Sequence, residues 1–381
     1  MKLKPNIIDV IAIKRLRKAF KTSTKGRYKY KISAMKFVRN FGFNIFFLKE
    51  LINLYLFTNK GYSIFTIHDR KKREVHAPCY TDKLIQHSIN NAIKPMLEKS
   101  SIEDSYACIT GRGPQKAILT LRLYQHNAFK EYKHPKLVKI DISKFFYTIN
   151  RDKIFTLLCK RIECEDLRIL LAEKLKFVYS PKGLPLGNLT SQQFANMLLN
   201  EFDHYVKDDL KIKYYVRYAD DIFIIINGKD NAKKVLRNSI KWLDYNLDLK
   251  CNPNKCFHEP ATTIVALGYK IFYNKEYNSN IIYLLSRNKN TLYKTLKLEY
   301  VKDKSIRSIM IVNDKNNSKN SIYRKATVED IVLRLNSWKG HAKLANLEKY
   351  IERTLIRSGR NDIVYENGKF KIKEGYEQYK I

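Results

Sequence analysis

Acidic residues are scarce in this chain. Asp and Glu number 37 against 73 Lys and Arg in 381 residues, a formal net charge of +36. A folded chain with that excess repels itself unless a polyanion lies close, which points first to nucleic acid and second to an acidic membrane surface. Long apolar runs are also missing. Ile7–Ile13 is broken by Asp9 and Phe41–Leu48 by Asn44, well short of the ~20 residues that span a bilayer. No small-residue cleavage site follows a charged start, so neither a secretory leader nor a membrane partner is expected. Six cysteines are few for this length and suit a reducing compartment, so the expected location is cytoplasmic. Cys159/Cys164 and Cys251/Cys256 share C-x4-C spacing, with only His258 as a nearby imidazole. That spacing is wider than in most zinc knuckles, and ordinary thiols are the favoured reading. What is present is core material. Hydrophobic content of 44% and 12% aromatics exclude a disordered basic tail, and the length suits two or three packed units.

Along the chain, residues 1–60 read as helices with a basic solvent face, because Ile13, Leu16 and Phe20 recur at helical spacing between Lys and Arg. Residues 62–77 read as a hairpin: Ser63–Ile67 is β-rich, Asp69–Lys72 is a polar turn, and Arg73–His76 resumes an extended pattern. A helical pattern covers 82–99. Leu137–Ile142 is a short strand holding a carboxylate, and helices are expected over 151–160 and near 165–177. Residues 181–189 form a Pro/Gly loop leading into a helix over Thr190–Val206, with Ser191 or Thr190 as its cap. Lys213–Asn227 reads as two strands joined at Asp220-Asp221, followed by helix 231–246, a loop over 250–260 and a strand pair around Thr263–Phe272. Beyond 285 the chain reads as basic and helical, with a polar loop over 313–320 and an amphipathic helical pair over 328–357. There is no internal repeat.

Tyr218-Ala219-Asp220-Asp221 lies between apolar runs, Tyr214-Tyr215-Val216 and Ile222–Ile226. Paired aspartates are ordinary in solvated turns, but such a turn needs no apolar run on either side. Adjacent carboxylates in an apolar hairpin repel and lose hydration. A hard cation such as Mg2+ offsets that cost. Chemistry on phosphates commonly uses two metals and a further carboxylate, and Asp141, ending a strand 79 residues earlier, can supply it.

These motifs, in this order, resemble the reverse transcriptase family. YADD at 218–221 is similar to its carboxylate pair, and KIDISKFF at 139–146 to its first carboxylate motif. GLPLGNLTSQ at 183–192 is similar to the segment that aligns template and incoming nucleotide. Lys255 stands where the family has a lysine near the leaving pyrophosphate, and Leu267-Gly268-Tyr269 resembles the primer-grip hairpin. Arg73 and Lys83 match basic fingers positions, the second usually Arg. Ser105–Ala107 and Gly111–Gly113 match a template-side fingers segment, and Ser337–His341 resembles the thumb of bacterial members. The resemblance runs from about 50 to 357.

The resemblance implies an α+β right-hand polymerase fold of fingers, palm and thumb, with an antiparallel palm sheet backed by helices. The implied division is fingers with N-terminal helices over 1–136, palm over 137–275 with a fingers-like helical segment at about 150–180, and a basic helical thumb and tail over 276–381. The residues after the palm suffice for a thumb and are too few for a nuclease domain besides. The implied activity is RNA-directed DNA synthesis with two Mg2+ ions, Mn2+ being a substitute. Asp141, Asp220 and Asp221, with Ile142, are the implied metal site, and Lys255 joins the three aspartates as a catalytic group. Arg73, Lys83, Lys144, Phe145, Phe146, Leu186, Gly187 and Gln192 are implied at the nucleotide, and Arg112, Tyr218, Gly268, Tyr269, Trp338 and Lys339 at the nucleic acid.

Phe146 lies where a 2′-OH would project, so its ring favours dNTPs. Leu186 replaces the commoner Gln and loses a polar contact to the nucleotide, which implies low fidelity. With Gln192 it brings the chain nearest to diversity-generating retroelement and antiphage defence enzymes. Implied partners are a structured non-coding RNA template, a DNA or RNA primer and dNTPs. An accessory protein or a homo-oligomer stays open. So do template-independent or protein-primed synthesis and a catalytically silent RNA-binding scaffold.

Overall fold

The computed structural model describes residues 4–24, 32–56, 61–68, 72–176, 179–285, 290, 300–302, 323–325, 332, 335–336, 348–358, 363–366 and 369–373. The 313–320 loop and Ser337–His341, with Trp338 and Lys339, lie outside them. The chain divides into two compact units: Met1–Ala117 with Asn127–Ala261, and Ile118–His126 with Thr262–Ile381.

The first unit opens with α1 (Ile8–Ile11), α2 (Ile13–Ser23), α3 (Ile32–Arg39) and α4 (Phe41–Asn53). In α2 the apolar stripe turns Leu16 and Ala19 inward and leaves the Lys and Arg face to solvent. Next come the antiparallel hairpin β1 (Tyr62–His68) and β2 (Lys72–Pro78), and the long helix α5 (Tyr80–Ser100). Helix α6 (Pro114–Glu131), absent from the sequence reading, starts with Pro at its first turn. Strand β3 (Pro135–Asp141) follows, then the one-turn α7 (Phe145–Thr148), α8 (Arg151–Arg161), α9 (Glu165–Leu175) and α10 (Leu189–His204). The unit closes with β4 (Tyr214–Tyr218), β5 (Asp221–Asn227), α11 (Lys229–Leu247) and β6 (Phe257–Pro260).

The palm sheet has the order β4-β5-β3-β6, with every neighbour antiparallel. Its central strand β5 buries Ile222, Phe223, Ile224 and Ile225 in succession, as expected of a strand covered on both faces. On the face that carries Ile222 and Ile224, helices α8, α10 and α11 supply covering side chains, among them Leu158, Phe194, Leu198, Phe202 and Leu243. This is the expected α+β palm. Two details differ from the sequence reading. The 250–260 loop holds β6, which the short, polar FHEP sequence hides. The N-terminus of α10 is not capped by Ser191 or Thr190: Ser191 Oγ donates back to the Pro185 carbonyl at 2.9 Å, and Gln86 Oε1 of α5 accepts from Leu189 N at 3.0 Å. A cap from another helix leaves no local signature.

Burial carries a pH consequence on α5. It holds His87 down to about 4, helped by the nearby Lys83 charge. An unfolded histidine protonates near 6.5, so the unfolded state binds the extra proton first as pH falls. Stability is therefore expected to decline from pH 6.5 towards 4, by about 1–2 kcal/mol for this partly exposed ring. Denaturation midpoints measured over that window should flatten in His87→Gln.

The second unit contains the antiparallel sheet β7 (Thr263–Ala266), β8 (Tyr269–Asn274) and β9 (Ser279–Leu284). Gln125, from the middle of α6, donates to Thr262 O and accepts from Asn280. Part of the stretch read as helical is β-structure. Two short hairpins stand there, Tyr300–Lys302 with Tyr323–Lys325 and Ile363–Glu366 with Lys369–Ile372. Dense Lys and Tyr in three- and four-residue strands give no readable alternation. The helix Glu348–Arg357 does match the expected amphipathic pattern.

Candidate active site

Strand pairing assembles the carboxylates. In the β3–β5 ladder Asp141 stands directly opposite Asp221, and in the β4–β5 ladder Tyr218 opposes Asp221. A two-residue turn, Ala219-Asp220, joins β4 to β5, and Ala219 takes a left-handed conformation at φ 54°. This forces Asp220 and Asp221 to the end of the sheet where β3 delivers Asp141.

Two lysines partly neutralise the cluster. Lys255 Nζ donates to Asp141 Oδ2 at 2.9 Å, and Lys139 Nζ lies 3.5 Å from Asp221 Oδ1. The hydrogen bond to Asp141 raises the Lys255 pKa and keeps it charged. Among the described residues Asp220 has no such lysine partner. Burial, then the charges of Asp221 and Asp141, push its carboxyl above the usual range. Lys139 was not singled out in the sequence. Its signal is positional: two residues before Asp141 in a strand is the same face.

Hydrogen bonds flank Ile142 on both sides, Asn252 N to Asp141 O and Ser143 N to Lys250 O at 2.8 Å each. In an antiparallel pair this turns the Ile142 carbonyl away from the Cys251 strand. Three carboxylates and this carbonyl are hard oxygens, the kind that could hold Mg2+ or Mn2+. Among the described residues, no three acidic, imidazole or thiol side chains converge tightly enough to hold one ion as they stand.

The residues expected at the nucleotide lie in the first unit. Lys144 is exposed with a left-handed backbone. Phe145 is buried in the core, whereas Phe146 is partly exposed and packs edge-on against it at 5.4 Å. The 181–187 loop is sewn down on two sides. Leu184 N donates to Phe146 O and Gly183 N to Ile149 O, while His76 N of β2 donates to Leu186 O, at 2.7, 2.8 and 2.7 Å. A Cβ on Gly187 would lie 2.5 Å from His76 O, so the backbones touch there because the residue is glycine. Leu186 is half-buried and Gln192 exposed, accepting from Cys108 Sγ. Arg73 is exposed on β2, and Lys83 Nζ donates to Ser23 O.

Two expected nucleic-acid contacts are placed differently. Arg112 Nη1 donates to the carbonyls of Ile102, Glu103 and Ser105, so this nitrogen folds its own loop. Tyr269 is 1% exposed, and burial pushes its hydroxyl up to about 12. Its ring is buried, and the turn before it, Leu267-Gly268, has both φ positive. Tyr218 is half-buried beside the turn.

Among the described residues no helix is long and apolar enough to cross a membrane. The chain is similar to Protein YkfC of Escherichia coli strain K12, 24% identical over 225 residues, covering 49% of this chain and 59% of that one. It is also similar to the Retron Ec73 reverse transcriptase of Escherichia coli, 27% identical over 213 residues and covering 52% and 64%. It thus spans about three fifths of the length of these relatives. Among solved structures, apo telomerase from Candida tropicalis aligns at TM-score 0.47 and 12% identity over 63% of this chain and 52% of that one. The profile described as Reverse transcriptase (RNA-dependent DNA polymerase) matches residues 66–271. That match covers more than half of the chain and takes in both carboxylate motifs and the 183–192 loop, so the chain belongs to the reverse transcriptase family.

Proposed function

We propose that the chain is an RNA-directed DNA polymerase. The observation that carries this reading is the Asp141–Asp221 register, which sets Asp220 beside both carboxylates with Lys255 on Asp141. Asp141, Asp220, Asp221 and the Ile142 carbonyl would hold two Mg2+ or Mn2+ ions. When bound, these ions acidify a primer 3′-hydroxyl and neutralise the leaving pyrophosphate. Lys255, released from Asp141, is a cation within reach of that leaving group. Phe146 borders the sugar, Leu186 and Gly187 the nascent pair, and Arg73, Lys83, Lys144 and Gln192 the triphosphate and base. Tyr218, Gly268, Trp338 and Lys339 belong to the template–primer track in this reading, within a division into fingers over 1–136, palm over 137–275 and thumb over 276–381. The +36 charge supports an RNA template and primer as partners. Primer extension with and without RNA, read by product sequencing, tests this. Products complementary to the template support it. Equal products without a template would replace it with template-independent synthesis.

Two finer features belong to the same reading. Phe146→Ala should admit ribonucleotides, shown as a lower dNTP/rNTP incorporation ratio. An unchanged ratio at preserved activity would make Phe146 a packing residue. Leu186→Gln should lower misincorporation about two- to tenfold, the scale of one hydrogen bond, in error counts on a defined template. Low fidelity through Leu186 supports a diversity-generating retroelement or antiphage defence role in the cytoplasm. A repeat-bearing variable gene beside this one would favour the first, and a defence cluster with a structured RNA the second.

A further inference from the structure

Arg217 lies one residue before the YADD motif and is 1% exposed, unusual for the most hydrophilic of side chains. Its guanidinium is fully engaged. Nε donates to Asp203 Oδ1 and Nη2 to Asp203 Oδ2, both at 2.6 Å, a two-pronged pair with an α10 carboxylate that is itself fully buried. Tyr215 donates its hydroxyl to the same carboxylate at 2.5 Å. Nη1 donates to Asn196 Oδ1 at 3.2 Å and to Ala219 O at 3.3 Å.

The last bond matters most. Ala219 is the left-handed residue of the carboxylate turn, a conformation strained for a residue that bears a side chain. Its carbonyl belongs to the peptide plane that leads into Asp220. The main chain of Arg217 is tied as well. Its N–H donates to Asp104 O and its carbonyl accepts from Tyr106 N, at 2.9 and 3.0 Å. Tyr106 belongs to Ser105–Ala107, a segment the resemblance sets along the template, and Asp104 immediately precedes it. Asn196 carries the link further, donating Nδ2 to Ala107 O at 2.6 Å. A buried ion pair is seldom more stabilising than apolar packing of the same volume, so its presence here calls for a reason besides stability.

We propose that Arg217, clamped by Asp203, is a positioning residue that sets the Ala219–Asp220 peptide and locks the carboxylate turn to the template-side segment. This rests on the polymerase reading above. Arg217 touches no reacting group. It acts through Asp220, whose carboxyl must meet a cation at a defined place.

The test compares the full-length protein with Arg217→Lys, which keeps the charge but loses the fork. Primer extension is measured per active site from burst amplitudes, alongside direct Mn2+ binding by electron paramagnetic resonance and thermal midpoints. The expected result is a kcat lower by about ten- to a hundredfold, as displacement of a reacting group produces. KM for dNTP should change less than about threefold, and the Mn2+ dissociation constant should rise about tenfold, typical of losing a residue that orients a metal ligand. A lowered midpoint with unchanged kcat per site and unchanged Mn2+ affinity would overturn the proposal. If Arg217→Lys does not fold, Asp203→Asn, nearly isosteric, is judged by the same readings. If the wild-type chain extends no primer, the polymerase reading fails on its own, and the Mn2+ constants still decide this proposal: weakened binding supports it and equal binding overturns it.

Discussion

Asp220→Asn and Asp141→Asn are each expected to lower nucleotide incorporation about 10³-fold or more, the loss of ~4 kcal/mol of metal-mediated stabilisation. The amide keeps the shape and removes the charge that would hold the cation. The two variants should part company in stability. Asp220 is a half-buried carboxyl facing two like charges, so its neutralisation relieves repulsion, and the thermal midpoint should hold or rise. Asp141 accepts from Lys255, so Asp141→Asn gives up an ion pair and the midpoint should fall slightly. RNA binding should survive in both, because Lys and Arg elsewhere hold the phosphates. Incorporation by Asp220→Asn at the wild-type rate would remove this residue from the metal site. A falling midpoint in Asp220→Asn would show that the carboxylate serves the fold instead. The measurements are primer extension, melting in metal-free buffer and filter binding of RNA.

Gly183→Ala is expected to destabilise the chain by about 3 kcal/mol, combining a strained backbone with overpacking. Gly183 has φ +87°, and an added Cβ would lie 2.6 Å from Tyr147 O and 2.8 Å from Phe146 O. Both are backbone oxygens and cannot swing aside. The loop must lift, breaking the bonds from Gly183 N to Ile149 O and from Leu184 N to Phe146 O. Because those bonds join Phe146 to the segment carrying Leu186, KM for dNTP should rise as well. Gly42→Ala is the control of opposite sign. It lies in α4 with nothing within 4 Å of the added Cβ, and alanine should stabilise that helix by about 0.5–1 kcal/mol. Urea denaturation of the two variants reads both outcomes. Equal midpoints would mean the 181–187 loop is not held against Phe146.

The legible parts of this protein are those whose cause lies within a few residues. The β4–β5 hairpin announces itself as two apolar runs broken by Asp220-Asp221, and the β1–β2 hairpin as a β-branched run ending in a basic turn. Asp141 was found because its strand is short, apolar and ends in a carboxylate. Family resemblance then joined motifs that local pattern leaves separate. What stayed hidden has its cause far away in sequence. The Arg217–Asp203 pair, the Gln86 cap on α10 and the Lys139–Asp221 contact each join residues from separate elements, and neither partner's neighbours mark the bond. Tyr269 shows the same limit in reverse: the resemblance sets it at the primer, and the structure buries its ring. The sequence by itself determined which residues carry charge, where strands turn and which glycines must bend, since propensity and sterics act over a few bonds. Tertiary structure alone decided the register that sets Asp141 opposite Asp221 and the buried clamp beneath Asp220. Burial and electrostatic pairing depend on which distant surfaces meet, and no local pattern encodes that.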